Sequence, residues 1–352
     1  MRLLAIFLLP FSWLYNLATR FRNHLYDIGY KPSFEFDVFL ISVGNLSVGG
    51  TGKTPMIEYL IRLLKSRYKL ATLSRGYGRQ TRGFILATEK DNATLIGDEP
   101  RQFYEKYGLE IKVAVGEERA LAVPEILFHH PATSIILLDD AYQHRSIKAN
   151  VNILLSDYYH PFYEDWVLPA GRLRESRSSA RRADLLIITK CPDDLSESKM
   201  MEIEAAARPY LRPKLPVFFT GIRYMSPKLI WQENMHMDIT EVFVFTGIAR
   251  ERSMLNYLQK TYEVIGVMKF GDHHRYTRAD IQRVIHAYTL KNKPGAVLMT
   301  TEKDMVKLRV SEFKKEFKGL PIYYLPVESF FLKNGHIFDD KIEKMVAKEV
   351  KQ

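Results

Sequence analysis

Residues 38–55 read Val38-Phe39-Leu40-Ile41-Ser42-Val43-Gly44-Asn45-Leu46-Ser47-Val48-Gly49-Gly50-Thr51-Gly52-Lys53-Thr54-Pro55. An apolar run passes into a glycine-rich turn ending in Gly-Lys-Thr, which predicts a strand, a tight loop and the first turn of a helix. Glycines let successive backbone N–H groups converge on an anion, and the helix N-terminus adds partial positive charge. Lys53 is then placed to meet β- and γ-phosphates, and the Thr54 hydroxyl to ligate Mg²⁺. The string departs from G-x-x-x-x-G-K-[ST] at its first glycine, where Ser47 stands. The preceding strand and the Gly49-Gly50 pair favour a phosphate cradle over a plain strand-to-helix turn. Ser47, Val48, Gly49, Gly50, Thr51, Gly52, Lys53 and Thr54 are therefore the candidate nucleoside-triphosphate-binding residues.

Outward from this loop, short β-rich runs alternate with helical patterns: Val38–Val43, Lys69–Ser74, Ile111–Val115, Ser134–Leu138, Asn152–Ser156 and Asp184–Thr189. Such alternation predicts an α/β fold, a P-loop NTPase-type, mostly parallel sheet with helices on both faces. After Pro213–Pro216, the segments Val217–Thr220 and Lys228–Trp231 predict a two-stranded, hairpin-like linker over 217–236. A second alternating set, Val242–Thr246, Val264–Phe270, Ala296–Thr301 and Ile322–Leu325, predicts a smaller α/β domain over 237–352 that ends in the helix Lys341–Val350. The larger domain then spans 27–216, and a cleft between the two is a common place for substrates.

The chain has 352 residues, 46% hydrophobic and 26% charged, the composition of a globular protein. Its net charge of +10 suits an anionic partner without choosing among nucleic acid, an acidic membrane surface and a phosphorylated substrate. The single cysteine, Cys191, excludes an intrachain disulfide and fits a reducing compartment. From Leu3 to Tyr15 the residues are almost all apolar, too short a run for the roughly 20 residues of a spanning helix. Leu14, Leu17, Phe21 and Leu25 then recur at helical spacing, while Arg20, Arg22 and His24 take other faces. Residues 1–26 thus predict a helix lying in a membrane interface. No small-x-small cleavage site marks a signal peptide. A helix packed on the protein's own core is the competing reading.

Four further strings carry candidate chemistry. Ser134–Leu138 ends in Asp139-Asp140, and a strand-end Asp in a P-loop protein holds Mg²⁺ directly or through water. In Gly97-Asp98-Glu99-Pro100, one carboxylate can accept a hydroxyl proton and the other bind metal; a turn is the plain alternative. Ser74-Arg75-Gly76-Tyr77-Gly78-Arg79 offers guanidinium groups and a flat ring to a sugar phosphate, or is simply an exposed basic loop. Asp272-His273-His274 lacks the cysteines or helical spacing of a metal site, which favours a His poised for proton transfer.

Val43–Pro55 closely resembles the opening motif of the tetraacyldisaccharide 4′-kinase (lipid A 4′-kinase) family. The likeness continues through Leu73–Arg79, Gly97–Pro100, Leu138–His144, Leu168–Glu175, Thr246–Arg250, Asp272–Tyr276 and Thr301–Lys307. It covers nearly the whole chain in order, and Ser47 is similar to the family's usual hydroxyl residue. The resemblance implies ATP- and Mg²⁺-dependent phosphorylation of the 4′-hydroxyl of a membrane-embedded acylated glucosamine disaccharide 1-phosphate, at the cytoplasmic face of the inner membrane. It implies Lys53 at the β/γ-phosphates, Asp98 as base and His273 as its partner from the second domain. Thr54, Glu99, Asp139 and Asp140 would manage the metal. Arg75, Tyr77, Gln143 and His144 would contact the acceptor, with Arg119 and Arg174 at phosphate. Three departures bear on loop geometry and on acyl or headgroup preference. Ala141 stands for the family's usual glycine, Tyr142 for its usual Phe, and Arg172 where proline is common.

A P-loop kinase for a soluble metabolite is the main rival reading, and it has no use for an interfacial N-terminus. A membrane-associated GTP switch needs N-K-x-D after an apolar strand. Here Thr189-Lys190-Cys191-Pro192 has Pro where Asp is required. No string resembles a nucleic-acid recognition motif, and no obligate protein partner is inferred.

Overall fold

Phe39–Asn45, seven consecutive buried residues, form the strand from which the phosphate loop hangs. The computed structural model describes residues 2–231, 238–248, 251–291 and 295–350. The elements begin with α1 (Arg2–Asp27), β1 (Phe39–Asn45), α2 (Lys53–Leu64), β2 (Leu70–Ser74), β3 (Ile85–Leu86), α3 (Ala93–Ile96), α4 (Asp98–Tyr107) and β4 (Lys112–Val115). Next come α5 (Arg119–His129), β5 (Ile135–Asp139), β6 (Val151–Asp157), β7 (Leu185–Thr189), α6 (Glu197–Ala207), β8 (Val217–Tyr224) and β9 (Lys228–Leu229). A second series follows: β10 (Glu241–Thr246), α7 (Arg252–Thr261), β11 (Glu263–Lys269), α8 (Arg278–Thr289), β12 (Ala296–Thr301), α9 (Glu302–Leu308), α10 (Ser311–Glu316) and β13 (Ile322–Leu325). The chain ends with β14 (Val327–Phe331) and α11 (Gly335–Glu349).

The strands form a nine-stranded sheet, β14-β8-β7-β6-β1-β5-β2-β4-β3, and a five-stranded one, β11-β10-β12-β13-β9. In the large sheet β8 through β4 run parallel, and only the edge strands β14 and β3 are antiparallel. Both faces are covered, as a parallel sheet requires. Phe39, Ile41 and Val43 point to a core shared with Met56, Ile57 and Leu60 of α2 and with Phe338, Ile342 and Val346 of α11. Val38 and Leu40 alternate to the other face, against Ala122, Val123 and Ile126 of α5. β1 lies between β5 and β6, so the phosphate loop, the acids after β5 and the ends of β6 and β7 share one sheet edge.

The expected linker and terminal helix take other places. Val217–Tyr224 is β8, paired on one side with β7 and on the other with β14, so no free edge remains for a hairpin partner. Lys228–Leu229 pairs instead with Tyr323 and Tyr324 at the rim of the small sheet; residues 232–237 lie outside the described residues. The tail expected in the smaller domain packs on the larger one. Val327 stands opposite Tyr224, and the apolar face of α11 is buried against Phe218 and α2. The Met225 N–H donates to the Pro326 carbonyl at 2.9 Å. Residues 225–326 are thus an insertion at the turn of the β8–β14 hairpin.

Candidate active site

Gly52, at φ 80°, is the left-handed residue that turns the loop into α2, and Gly49 sits at φ 103°; L side chains are strained at both. Neighbouring strand ends brace the loop. The Thr189 hydroxyl donates to the Thr51 carbonyl at 2.9 Å. Lys190 donates to the Gly50 carbonyl and pairs with Asp157 at 3.0 Å. From the opposite side Val48 N–H donates to the Arg172 carbonyl at 2.8 Å, and Arg174 N–H to that of Leu46 at 2.7 Å. Ser47 is bridged to Leu173, so Arg172–Arg174 runs beside the loop as a strap.

Lys53 opens α2 and reaches Asp140 at 3.6 Å and the Asn45 amide oxygen at 3.5 Å. Arg174 grips both Asp140 carboxylate oxygens, at 3.0 and 3.1 Å, and the Gln143 side chain at 3.3 Å. Burial opposes charge on Asp140, yet Lys53 and Arg174 hold its carboxyl below the usual range. Asp139 is the reverse case. Burial, with Asp140 and Glu99 nearby, outweighs Lys53 and pushes it up to about 7. One Asp139 oxygen accepts from Ser74 at 3.3 Å, while the other is buried without a partner. Among the described residues no three His, Cys, Asp or Glu side chains cluster as a metal cage. Mg²⁺ needs none, since it binds through one or two carboxylates, phosphate oxygens and water. An unpartnered buried carboxylate oxygen beside the phosphate loop fits that need.

Asp98 and Glu99 begin α4, behind Gly97 at φ 95°, where a Cβ would press on the Gly76 backbone at 3.0 Å. This close crossing holds the 74–79 loop against the acids. His273 brings its Nδ1 to 3.3 Å from Asp98, and its own φ is 54°. Asp140 likewise has φ 50°; left-handed non-glycine residues of this kind store about 1–3 kcal/mol each and cluster at functional sites. The neighbouring imidazole serves differently. His274 bonds Asp280 at 3.0 Å and stacks on Phe270, which ties down its own loop.

Two lysines of α9 complete this centre. Lys303 contacts His273 Nε2 at 2.9 Å and Glu99 at 3.3 Å. Lys307 lies 3.8 Å from Asp98 and 2.8 Å from Asp304, which itself accepts from Thr246, Gly247 and Thr301. The sequence reading gives neither lysine a role, since i, i+4 cations on a helix are also the pattern of a solvated face. It also left out Asn45, Asp157 and Lys190, whose signal is polar residues at parallel strand ends.

The expected acceptor contacts divide. Arg75 and Tyr77 are exposed, and the Tyr77 ring stands edge-on to His273 with centroids 5.2 Å apart. Gln143 donates to the Asn45 carbonyl at 2.8 Å. Half-buried His144 is lowered to about 4 by burial and by Arg119 and Arg75. Arg119 is internal at 1% exposure and donates to the Gly116 and Glu117 carbonyls, so it backs the strand-end acids rather than facing a ligand. Burial brings it down to about 10.

The departures at 141, 142 and 172 are absorbed locally. The left-handed position of the acidic turn is Asp140, so Ala141 needs no glycine-like freedom and packs inside. The Tyr142 hydroxyl donates to the Ser179 carbonyl at 2.8 Å. The Arg172 side chain pairs with Asp165 at 2.9 Å.

Helix α1 docks on the body through part of its polar face, with Ser12 and Asn23 buried and Arg20 and His24 left exposed. Ser12 accepts from Ala170 N–H at 2.8 Å, Tyr15 donates to the Arg174 carbonyl at 3.2 Å, and Arg22 pairs with buried Glu175 at 2.5 Å. Phe7, Phe11, Trp13, Leu14, Leu17 and Phe21 face outward, Phe7 at 75% exposure. The core-packed reading of this helix is therefore not what the structure displays. No described helix is long and apolar enough to cross a membrane.

Known proteins share both the sequence and the fold. The sequence profile of the family Tetraacyldisaccharide-1-P 4′-kinase matches residues 4–347; of the strings that carried the resemblance, only Ala249 and Arg250 lie outside the described residues. The tetraacyldisaccharide 4′-kinase of Flavobacterium johnsoniae is 41% identical, covering 99% of this chain and 99% of that protein. That of Flavobacterium psychrophilum is 44% identical over 95% of each. The crystal structure of LpxK from Aquifex aeolicus in complex with ATP superposes with a TM-score of 0.77 at 28% identity, over 97% of this chain and 99% of that one. The chain belongs to the tetraacyldisaccharide 4′-kinase family.

Proposed function

We propose that the residues gathered between the two sheets transfer the γ-phosphoryl group of ATP to the 4′-hydroxyl of an acylated glucosamine disaccharide 1-phosphate, a step of lipid A biosynthesis. The observation that carries this reading is the Asp98–His273 pair at 3.3 Å, joined across two units on the rim that holds the phosphate loop. Asp98 accepts the hydroxyl proton as the oxygen attacks the γ-phosphorus, and the bond to the β–γ bridging oxygen breaks to release ADP. His273 orients that carboxylate, and Lys303 and Lys307 keep positive charge beside it. Backbone N–H groups of Ser47–Gly52 and the Lys53 ammonium offset charge that develops on the phosphate oxygens. Thr54, Asp139 and Glu99 would hold Mg²⁺, with Asp140 keeping Lys53 and Arg174 in place beside them. Bound there, Mg²⁺ would neutralise charge on the phosphate oxygens. Arg75, Tyr77, Gln143 and His144 line the acceptor side.

The acceptor's acyl chains stay in lipid, so the kinase must come to the interface. The outward apolar face of α1, with Arg20 on its flank, suits docking at the cytoplasmic leaflet while the polar face holds the body. The deciding experiment supplies γ-labelled ATP and Mg²⁺ with acylated disaccharide 1-phosphate, in detergent and in vesicles. Label on the lipid 4′-position is expected. ATP consumed with label only in inorganic phosphate, or passed to a soluble sugar phosphate in preference, would sink the reading.

A further inference from the structure

The helix that carries Asp98 and Glu99 is clamped at its other end by a buried charge cluster. Glu58 of α2, at 1% exposure, accepts from Gln102 at 2.9 Å and from Lys106 at 2.5 Å. The same Lys106 ammonium pairs at 2.9 Å with Glu302, the buried first residue of α9. Glu302 also accepts from the N–H of Val327, where the chain re-enters the large sheet, at 3.4 Å. One cation thus joins three helices: the phosphate-loop helix α2, the acid-bearing helix α4 and the lysine-bearing helix α9. Burial and Glu302 push Glu58 up while Lys106 pulls it back. Burial likewise works against charge on Lys106, but its two carboxylates outweigh it and hold the ammonium above the ordinary lysine value. Arg62, 3.9 Å from Glu58 and 3.8 Å from Glu328, stands at the edge of the cluster. At about 1.5 Å per residue, Lys106 lies about 12 Å along α4 from Asp98, so a tilt at one end displaces the other.

We propose that Lys106 is a positioning residue of the transfer reaction: by clasping Glu58 and Glu302 together it sets the angle of α4 at which Asp98 meets His273. The proposal rests on the Asp98–His273 reading and adds what aligns it. A lysine is suited to the task, because its ammonium offers three donors to acceptors arriving from separate elements. With methionine the cluster keeps its packing volume but loses the cation that its two buried carboxylates share, so nothing ties α2, α4 and α9 to one point.

The test measures lipid phosphorylation and ATP affinity for the full chain as Lys106→Met and Lys106→Arg, each with and without His273→Ala. Folding is followed by thermal unfolding. Lys106→Met is expected to lower kcat by about 10–100-fold, the scale of a misplacement of about 1 Å at a reacting group, with ATP affinity kept within about twofold. Lys106→Arg is expected to recover most of the loss, and in the His273→Ala background Lys106→Met should cost little more. If Lys106→Met does not fold, Glu302→Gln, which spares the Lys106–Glu58 pair, is read in the same way with a several-fold loss expected. A folded variant with unchanged kcat, or a loss that multiplies fully with that of His273→Ala, overturns the proposal. An inert His273→Ala strikes the Asp98–His273 reading itself and this proposal with it, and the same set of variants separates that result from the others.

Discussion

The phosphate loop and the Asp98–His273 centre are built on opposite principles. The loop is one continuous string on one strand, one turn and one helix, with its conformation fixed by glycines at positive φ and by braces from adjacent strand ends. The proton-transfer centre has no local framework. Asp98 heads a helix of the large unit, while His273 and Lys307 belong to the inserted one, and they meet only through side chains 3.3 and 3.8 Å from Asp98. A site written into contiguous backbone survives small movements of its surroundings. A site assembled across two units depends on their alignment.

The difference is sharpest in the response to substitution. Asp98→Ala is expected to have the largest effect, about 10²–10⁴-fold in kcat, as loss of a general base does. His273→Ala should cost less, and the double variant much less than the product of the singles, because both act on one proton. Fully multiplicative losses in steady-state transfer would mean that each works alone. Lys53→Ala should follow at about 10²–10³-fold, on the scale of about 3 kcal/mol for one group facing developing charge, with the melting temperature little changed. Near-normal turnover in that variant would break the phosphate-loop half of the comparison.

A third, smaller effect concerns stability against pH. Asp139 is raised from 3.8 to about 7 by burial, so the folded chain holds its proton more tightly than the unfolded chain. That contribution is complete below pH 4 and is lost as pH rises through about 7. Without nucleotide or Mg²⁺, denaturant unfolding should show wild-type stability falling across this window relative to Asp139→Asn. His144, lowered to about 4, acts in the opposite sense, but it is present in both proteins and cancels in the difference. Parallel curves would contradict the assignment. The smallest effect is expected for Tyr142→Phe, which loses the bond to Ser179: about 1 kcal/mol of stability and unchanged turnover. A large loss of turnover there would show that the acidic turn depends on this hydroxyl.

Much of this is legible in the amino-acid sequence. Val38–Val43 and the other apolar runs became strands, because a parallel sheet buried on both faces demands uninterrupted hydrophobic residues. The phosphate loop was readable because its glycines, lysine and threonine act through local backbone geometry. Addresses were harder. Val327–Phe331 and Gly335–Glu349 carry ordinary strand and helix patterns, and nothing local says that their partners are Thr220–Tyr224 and α2 rather than the nearer small sheet. Lys106, Lys303 and Lys307 look like solvated helix charges until the fold sets carboxylates against them. Arg119 failed in the other direction, since its place at the start of a helix concealed that its guanidinium turns inward.

The hairpin that carries the insertion has a consequence for how the chain folds. Tyr224 and Val327 are paired neighbours, yet about 100 residues separate them where a two-residue turn would do, and closing so long a loop by diffusion costs roughly 3 kcal/mol more. An insertion that folds first avoids most of that cost, because its own two ends, Met225 and Pro326, already lie hydrogen-bonded side by side. With those ends held together, β8 and β14 lie next to each other as the last edge of the large sheet. In the finished protein the same pair of crossings is a two-stranded strap. Two strands entering side by side, rather than one, fix the direction in which the inserted unit leaves the large sheet, and with it the orientation in which His273 meets Asp98.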